Sequence, residues 1–430
     1  MRTLRYTDPD FDEALRTLNR HCVPSDDVRS AVTAIVAQVQ AEGDAGLIAL
    51  TQKFGGPALA PAALRVSEEE FAAAEQEVDD ATRQAVAASH ANVQSFARQS
   101  LRHNWQGVNA QGVEVGERFD PFQRVGIYVP GGTAPLVSTA IMTCAIAAVA
   151  GVPEIVVTTP AGRDGRVNPA LLHALRYSGA TEVYKVGGAQ AVAALAYGTE
   201  SIAPVAKVYG PGNAYVVEAK RQVFGRVAVD LLPGPSEILV IADKTARPAW
   251  VAADLLAQAE HGHNSAVVLV SDSPALLEEV ERQIPLQAAK LSRGTHIEEV
   301  LRESTILVLV EKIEDAITLC NNYAPEHTSV VTKDDDAIAA RLTTSGALFL
   351  GRYSPVAGGD FAAGPSHELP TGGAGKSFAG LTVDQFQRRT SIVRFSRESL
   401  AATVPIVETF AAIEGLDAHG RSASIRLEEE

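Results

Sequence analysis

Residues 124–160 read RVGIYVPGGTAPLVSTAIMTCAIAAVAGVPEIVVTTP. The opening RVGIYVP is short, apolar and bounded by proline and glycine, which predicts a strand. Residues 137–150 predict a helix, and EIVVTTP, 154–160, predicts a second strand. A strand, a helix and a strand joined by short loops make a βαβ unit of a parallel sheet. The central run STAIMTCAIAAVAG, 138–151, is the most apolar stretch of the chain. It is too short for a bilayer, which needs roughly 20 residues, so a buried helix is expected. Cys144 inside it reads as core filler.

The same alternation runs on toward the C-terminus. A helix near 168–178 is followed by EVYKVGG (182–188), helix AQAVAALAYG (189–198) and strand AKVYG (206–210). Helix NAYVVEAKRQVFG (213–225) and RVAVDLL (226–232) close this series. The Gly-Pro-rich LPGPSE, 232–237, is a seam, after which the pattern begins again. Strands EILVIAD, SAVVLVS, TILVLV, HTSVVT and GALFLG alternate with helices RPAWVAADLLAQAEHG, SPALLEEVERQI, KIEDAITLCNN and DDDAIAARLTT. The halves repeat an architecture without repeating a sequence.

Residues 1–120 read as mainly helical, with apolar residues at helical spacing in DVRSAVTAIVAQVQAEG and in 67–100. Ser67 and Glu70 make a capping box there, while GVEVGERFDPF reads as strand and turn. After 351 the texture is loop-like as far as a helix in VPIVETFAAIEG and a polar tail, LDAHGRSASIRLEEE. The expected fold is therefore α/β, with two consecutive incomplete Rossmann-like parallel-sheet domains, 121–234 and 235–380. A helical N-terminal part, 1–120, and a small C-terminal tail domain, 381–430, flank them.

Composition bounds the function. The chain has 430 residues, a formal net charge of −15 and no long basic cluster. That argues against nucleic acid or an anionic membrane as partner. The N-terminus lacks the apolar core of a signal peptide. The three cysteines, Cys22, Cys144 and Cys320, are widely spaced and suggest neither a zinc ribbon nor a disulfide framework. A reducing, cytoplasmic setting is expected.

Several stretches could carry chemistry. PTGGAGKSF, 370–378, nearly matches the phosphate-binding loop G-x-x-x-x-G-K-[ST], but Pro370 replaces the first glycine. No strand precedes it, and it runs on into further glycine, so a flexible connector is the better reading. Three loops at the carboxyl ends of predicted strands are glycine-rich: Gly131-Gly132, Gly187-Gly188 and Gly210-Pro211-Gly212-Asn213. None fits G-x-G-x-x-G, and each alone reads as a tight turn, although ligands of open parallel sheets bind at such ends.

In WVAADLLAQAEHG, Val251, Ala252, Leu255, Leu256 and Ala259 form one apolar helix face, and Asp254, Gln258 and His261 gather on another. Gly262 is expected to cap that helix. From spacing alone a solvated polar face is the plainer reading. Glu326 and His327 are adjacent just before a strand, and both are usual general acid–base types. Asp360 and His367 lie in the glycine-rich stretch and are expected on a shaped loop rather than a helix. Glu414 and His419 lie near the C-terminus, where silence is the default. Two histidines, an aspartate and an amide oxygen would suit zinc better than calcium or magnesium, provided that they meet.

Together VGIYVPGGTAPLVS, VGGAQAVAALAYGTE, GPGNAYVVEAKR, DLLPGPSEILVIAD, ADLLAQAEHG, YAPEHT, GDFAAGPSHELPT and EGLDAHG resemble the histidinol dehydrogenase family, in family order from about 124 to 420. The resemblance implies oxidation of L-histidinol to L-histidine through histidinal, the last steps of histidine biosynthesis, with two NAD, one water and one zinc. It implies Gln258, His261, Asp360 and His419 as zinc ligands and Glu326 with His327 as the acid–base pair. Ser236, Glu414 and His327 match substrate contacts, joined there by the four metal positions. Tyr128, Gln190 and Asn213 match NAD contacts. It also implies a homodimer in which Glu414 and His419 come from the partner subunit. Ser366 and Thr328 depart from the family's usual asparagine and leucine. Oxidation of another alcohol by the same zinc and NAD frame, or a zinc hydrolase, are the alternatives.

Overall fold

The computed structural model describes residues 1–18, 20, 24–131, 135–262 and 264–428; Cys22 and Gly132 lie outside the described residues. The chain opens with β1 (Arg2–Arg5), α1 (Phe11–Arg16), α2 (Asp26–Lys53), α3 (Glu68–Glu77) and α4 (Asp80–Ser100), then β2 (Trp105–Val108) and β3 (Glu114–Pro121). The first α/β series is β4 (Arg124–Tyr128), α5 (Val137–Val149), β5 (Glu154–Thr158), α6 (Pro169–Tyr177), β6 (Glu182–Tyr184), α7 (Gly188–Tyr197), β7 (Lys207–Tyr209), α8 (Ala214–Val223) and β8 (Ala228–Val229). The second is β9 (Glu237–Ala242), α9 (Pro248–Ala259), β10 (Ala266–Ser271), α10 (Pro274–Ala288), α11 (Gly294–Glu303), β11 (Thr305–Leu309), α12 (Ile313–Tyr323), β12 (His327–Val331), α13 (Asp335–Ala339), β13 (Ala347–Leu350) and α14 (Val356–Phe361). β14 (Gln387–Arg394), α15 (Arg397–Glu414) and α16 (Asp417–Glu428) end the chain.

Both predicted sheets form, and both are parallel. The first has the order β6-β5-β4-β7-β8. The second has β11-β10-β9-β12-β13, the same order within its own series, with β1 added in parallel beside β11. The alternation of side chains explains why both sheets read as continuous apolar runs. Val125, Ile127, Ile155 and Val157 pack with α5 and α6 on one face, while Tyr128, Val156 and Val208 pack with α2, α7 and α8 on the other. In the second sheet Ile238, Val240 and Leu269 face α9 and α10, and Leu239, Ile241 and Val268 face α12. A sheet covered on both faces buries both sets of its alternating residues.

The N-terminal part departs from the helical expectation. The predicted helix over 67–100 is two helices, α3 and α4, broken at Val78, whose backbone is extended. The Ser67–Glu70 capping box forms. α2 bends at Gly43, where φ is 56° and a Cβ would meet the Glu200 carboxylate at 2.3 Å. β1 joins the second sheet, and β2 and β3 form an antiparallel sheet with β14. The polar C-terminal tail is helix α16, which folds back on α15 through left-handed Gly415. No described helix is long and apolar enough to cross a membrane.

Candidate functional site

The charged residues of interest meet at the amino-terminal edge of the second sheet. α12 ends at Tyr323, and Ala324 takes the left-handed φ of 49° that turns the chain. Pro325 follows, and its ring fixes the next φ. Glu326 therefore lies just before β12, and His327 is that strand's first residue. Beside it Ser236 precedes β9 and Glu237 begins it; the register pairs His327 with Ile238.

The Glu326 carboxylate accepts from Ser236 Oγ (2.6 Å) and from the Glu237 backbone N–H (2.9 Å). His327 Nδ1 donates to the Glu237 carbonyl at 3.0 Å. Its Nε2 is buried without a hydrogen-bond partner, 3.6 Å from Asp360 Oδ1. Gln258 Nε2 donates to Ser236 Oγ at 2.7 Å, and its Oε1 is buried without a donor. Gln258 is only 2% exposed, so at this position the polar face of α9 is not the solvated one that spacing favoured. Ser236, Gln258, Glu326, His327 and Asp360 thus form one connected group.

Electrostatics reflect the burial. Burial pushes the Glu326 carboxyl above the usual range, against the pull of His327 and its hydrogen bonds. For His327 burial opposes the charge, but Glu326 and Asp360 outweigh it and raise the imidazole to about 9. Asp360 is held below its ordinary value: burial works against its charge, and His327, His367 and His261 overcome that. Asp254 stands apart, raised to about 6 by burial alone.

Two expectations about local structure are corrected. Asp360 lies on the short helix α14 rather than a loop, because Pro355 starts a turn that Val356 anchors in the core. α9 ends at Ala259 with Glu260 right-handed, and Gly262 is not left-handed, so it is not the cap. His261 stands exposed past the helix end, with Nδ1 donating to the Ala257 carbonyl. Glu414 and His419 are exposed on the α15–α16 pair, and no contact joins them to the group. Among the described residues no three His, Cys, Asp or Glu side chains gather closely enough to hold a metal.

The Gly187-Gly188 loop and Asn213 meet elsewhere, at the carboxyl edge of the first sheet. A cavity of about 600 Å³ is lined by Pro160, Gly187, Gly188, Gln190 and Asn213, with Ile35 and Phe54 among its lining residues from α2 and just beyond its end. Tyr128 is not in the lining; it lies beneath, its hydroxyl accepting from the Gly188 N–H at 3.2 Å. Gly210 has φ of 108°, and a Cβ would sit 2.0 Å from the Tyr128 carbonyl, so only glycine fits. Asn213 caps α8 through the Tyr215 and Val216 N–H groups. The edges of the two sheets approach where Thr139 Oγ1, at the start of α5, lies 3.3 Å from His367 Nε2.

Sequence reasoning missed Glu237, whose main chain holds both Glu326 and His327. It passed over Glu368 too, a buried carboxyl whose Oε1 has no hydrogen-bond partner, with His367 Nε2 at 3.9 Å, and which burial and Asp230 push up to about 8. The only available signal was their position beside Ser236 and His367. The stretch 370–378 is not a free connector either. Its Thr371 hydroxyl accepts from the Gly234 N–H, its Gly372 N–H donates to Glu237 Oε1 (2.9 Å), and Lys376 Nζ donates to the Asn322 carbonyl (2.6 Å).

The family model described as histidinol dehydrogenase matches residues 18–427. A histidinol dehydrogenase from Rhodopseudomonas palustris is 45% identical over 401 residues, 93% of each chain. One from Heliobacterium mobile is 40% identical over 428 residues, 100% of each. The crystal structure of histidinol dehydrogenase from Elizabethkingia anophelis is similar with a TM-score of 0.94 at 34% identity, covering 100% of this chain and 98% of that one.

Proposed function

The chain belongs to the histidinol dehydrogenase family, whose members oxidise histidinol to histidine in histidine biosynthesis, and from that premise we propose that it uses NAD and one zinc ion in a site shared between two copies. The observation that carries this reading is the buried group at the amino edge of the second sheet. It holds an acid–base pair beside an amide oxygen that has no donor.

The donor chemistry fits a metal. Gln258 Oε1 is an orphaned buried acceptor, Asp360 is an ionised carboxylate, and His261 is near enough to stabilise its charge. With a second imidazole this is a mixed N/O set of the kind zinc takes. His419 is that imidazole, supplied by a second copy together with Glu414. On α15, Phe410 and Ile413 are 55% and 74% exposed, and large apolar side chains beside polar ones suit burial against a partner. The 600 Å³ cavity lined by Gln190 and Asn213 is the NAD site. Buried free Cys144 and Cys320 fit a reducing, cytoplasmic setting.

Bound zinc would orient the substrate's amino and imidazole groups, and bound NAD would accept the hydride of each oxidation. The chain's own residues manage the protons. His327 is committed at Nδ1 to the Glu237 carbonyl, so Nε2 is the position that gives up and takes the proton, and a cation held by Asp360 would offset the carboxylate that favours the charged ring. The ring takes the hydroxyl proton as the alcohol becomes the aldehyde. Glu326 takes a proton from the water that adds to the aldehyde carbon, and Ser236 and the Glu237 N–H hold the carboxylate in place. His327 returns its proton to the aldehyde oxygen as the water adds, and so is free to take the hydrate's hydroxyl proton in the second oxidation. The buried pocket retains the aldehyde and limits side reactions.

Subunit mixing tests the reading. His327→Asn and His419→Asn are each expected to form no NADH from histidinol, and His419→Asn to lose zinc. Refolded together, they are expected to regain about a quarter of the activity, because half of the dimers then hold one intact site of two. A mixture that stays inactive would rule out the exchange. NADH from another alcohol but none from histidinol would replace the substrate.

A further inference from the structure

Arg20 lies between α1 and α2, far from the catalytic pair in sequence, yet it reaches the second sheet. Its Nε and Nη2 donate to the two oxygens of Glu237 at 2.6 and 2.9 Å. Nη2 also donates to the Tyr323 carbonyl at 2.7 Å, and the guanidinium lies 3.3 Å above the Tyr323 ring. The Glu237 side chain is fully buried and that of Arg20 is 12% exposed. Glu237 Oε1 accepts as well from the Gly372 N–H.

The main chain of this same residue serves the acid–base pair. The Glu237 N–H binds Glu326, and the Glu237 carbonyl orients His327 through Nδ1. Tyr323, the other partner of Arg20, ends α12 and stands just before the Ala324 turn that delivers Glu326 and His327. Arg20 therefore grips both strands of chain that converge on the pair.

We propose that Arg20 is a positioning residue for the reaction: its fork fixes Glu237 and the end of α12, and so sets where Glu326 and His327 stand. The proposal rests on the reading of Glu326 and His327 as the acid–base pair. A plain structural clamp is the competing account. Buried ion pairs are weak evidence for stability, since apolar residues of similar volume often serve as well. An oriented planar fork supplies geometry that an apolar contact does not. The pair also keeps a second buried carboxylate neutralised close to Glu326, whose own charge Glu237 disfavours.

The test uses the full-length, zinc-loaded enzyme with Arg20→Gln, Arg20→Lys, Glu237→Gln and the Arg20→Gln/Glu237→Gln double variant. Glu326→Gln runs in parallel, and kcat, KM, zinc content and Tm are measured for each. Arg20→Gln is expected to lower kcat by about 30-fold, as a displacement near 1 Å can, with KM for histidinol changed less than about 3-fold and zinc retained. The double variant is expected to regain Tm, because no buried carboxylate is left unpaired, while kcat stays low, because the fork is still missing; a kcat restored with the Tm would overturn the proposal. Arg20→Lys, a point charge in place of a fork, is expected to lose about 5-fold; it carries the test if Arg20→Gln does not fold. A normal kcat with a lowered Tm, in whichever of these variants folds, would overturn the proposal in favour of the clamp. If Glu326→Gln keeps full turnover, the acid–base reading itself fails, and the two failures are told apart.

Discussion

The two α/β sheets share one strand order but gather their candidate residues at opposite edges. The first offers its carboxyl edge, where Gly188 begins α7 and Asn213 caps α8 in the lining of the cavity. Helix N-termini and glycine turns carry free N–H groups and a partial positive charge, which suits an anionic cofactor. The second sheet offers its amino edge, where α9 ends near Gln258 and His261 and the chain enters β9 and β12. A helix C-terminus carries partial negative charge, and Glu326 and Asp360 add carboxylates. That edge suits a cation. One architecture thus provides two electrostatic environments, and the choice of edge selects between them.

The comparison predicts that damage at one edge spares the other. The largest effect belongs to Glu326→Gln, which is expected to slow histidinol turnover by roughly a thousandfold while NAD binding, read by calorimetric titration, is unchanged. Loss of NAD affinity in that variant would mean that the edges are not separate. Gln190→Ala is expected to act the other way, raising the KM for NAD by roughly tenfold with kcat within about 2-fold and zinc content intact. A fall in zinc content would break the division.

The smallest effect lies between the edges, at Glu368. Below the ordinary carboxylate range the folded and unfolded chains both hold this proton. From there up to about 8 the folded chain keeps a proton that the unfolded chain has released. The native state then binds more protons, so stability declines as pH rises through that window. Glu368→Gln removes the dependence. Its Tm is expected to exceed the parent's by a few degrees at pH 9 and to match it near pH 4; an advantage that is greatest at low pH would contradict the assignment.

The legible parts of the chain were those with local signals. Val125, Ile127 and Val157, or Leu239 and Val268, stand in runs whose length and branching predict strands without knowledge of their neighbours. β14 was missed because its alternation is mostly exposed, so it carries no apolar run. β1 was missed because four residues with little burial become a strand only by pairing with β11. α16 was hidden by its polar composition, since it packs chiefly on α15. The candidate residues were named mainly through the family resemblance. Spacing alone placed Gln258 and His261 on one face and could not tell a solvated face from a buried one.

The sequence by itself determined the alternation of strands and helices, the seam at LPGPSE and the residues that carry the family likeness. These follow from neighbours within a few positions, where periodicity and turn chemistry act directly. Only the tertiary structure decided at which edge of each sheet the candidate residues gather, that Gln258 is buried, and that PTGGAGKSF is pinned onto Glu237. It also brought Arg20 to a carboxylate 217 positions away. Such contacts depend on how segments distant in sequence pack onto the second sheet. That arrangement is set by the packing of whole faces, which no short stretch of chain encodes.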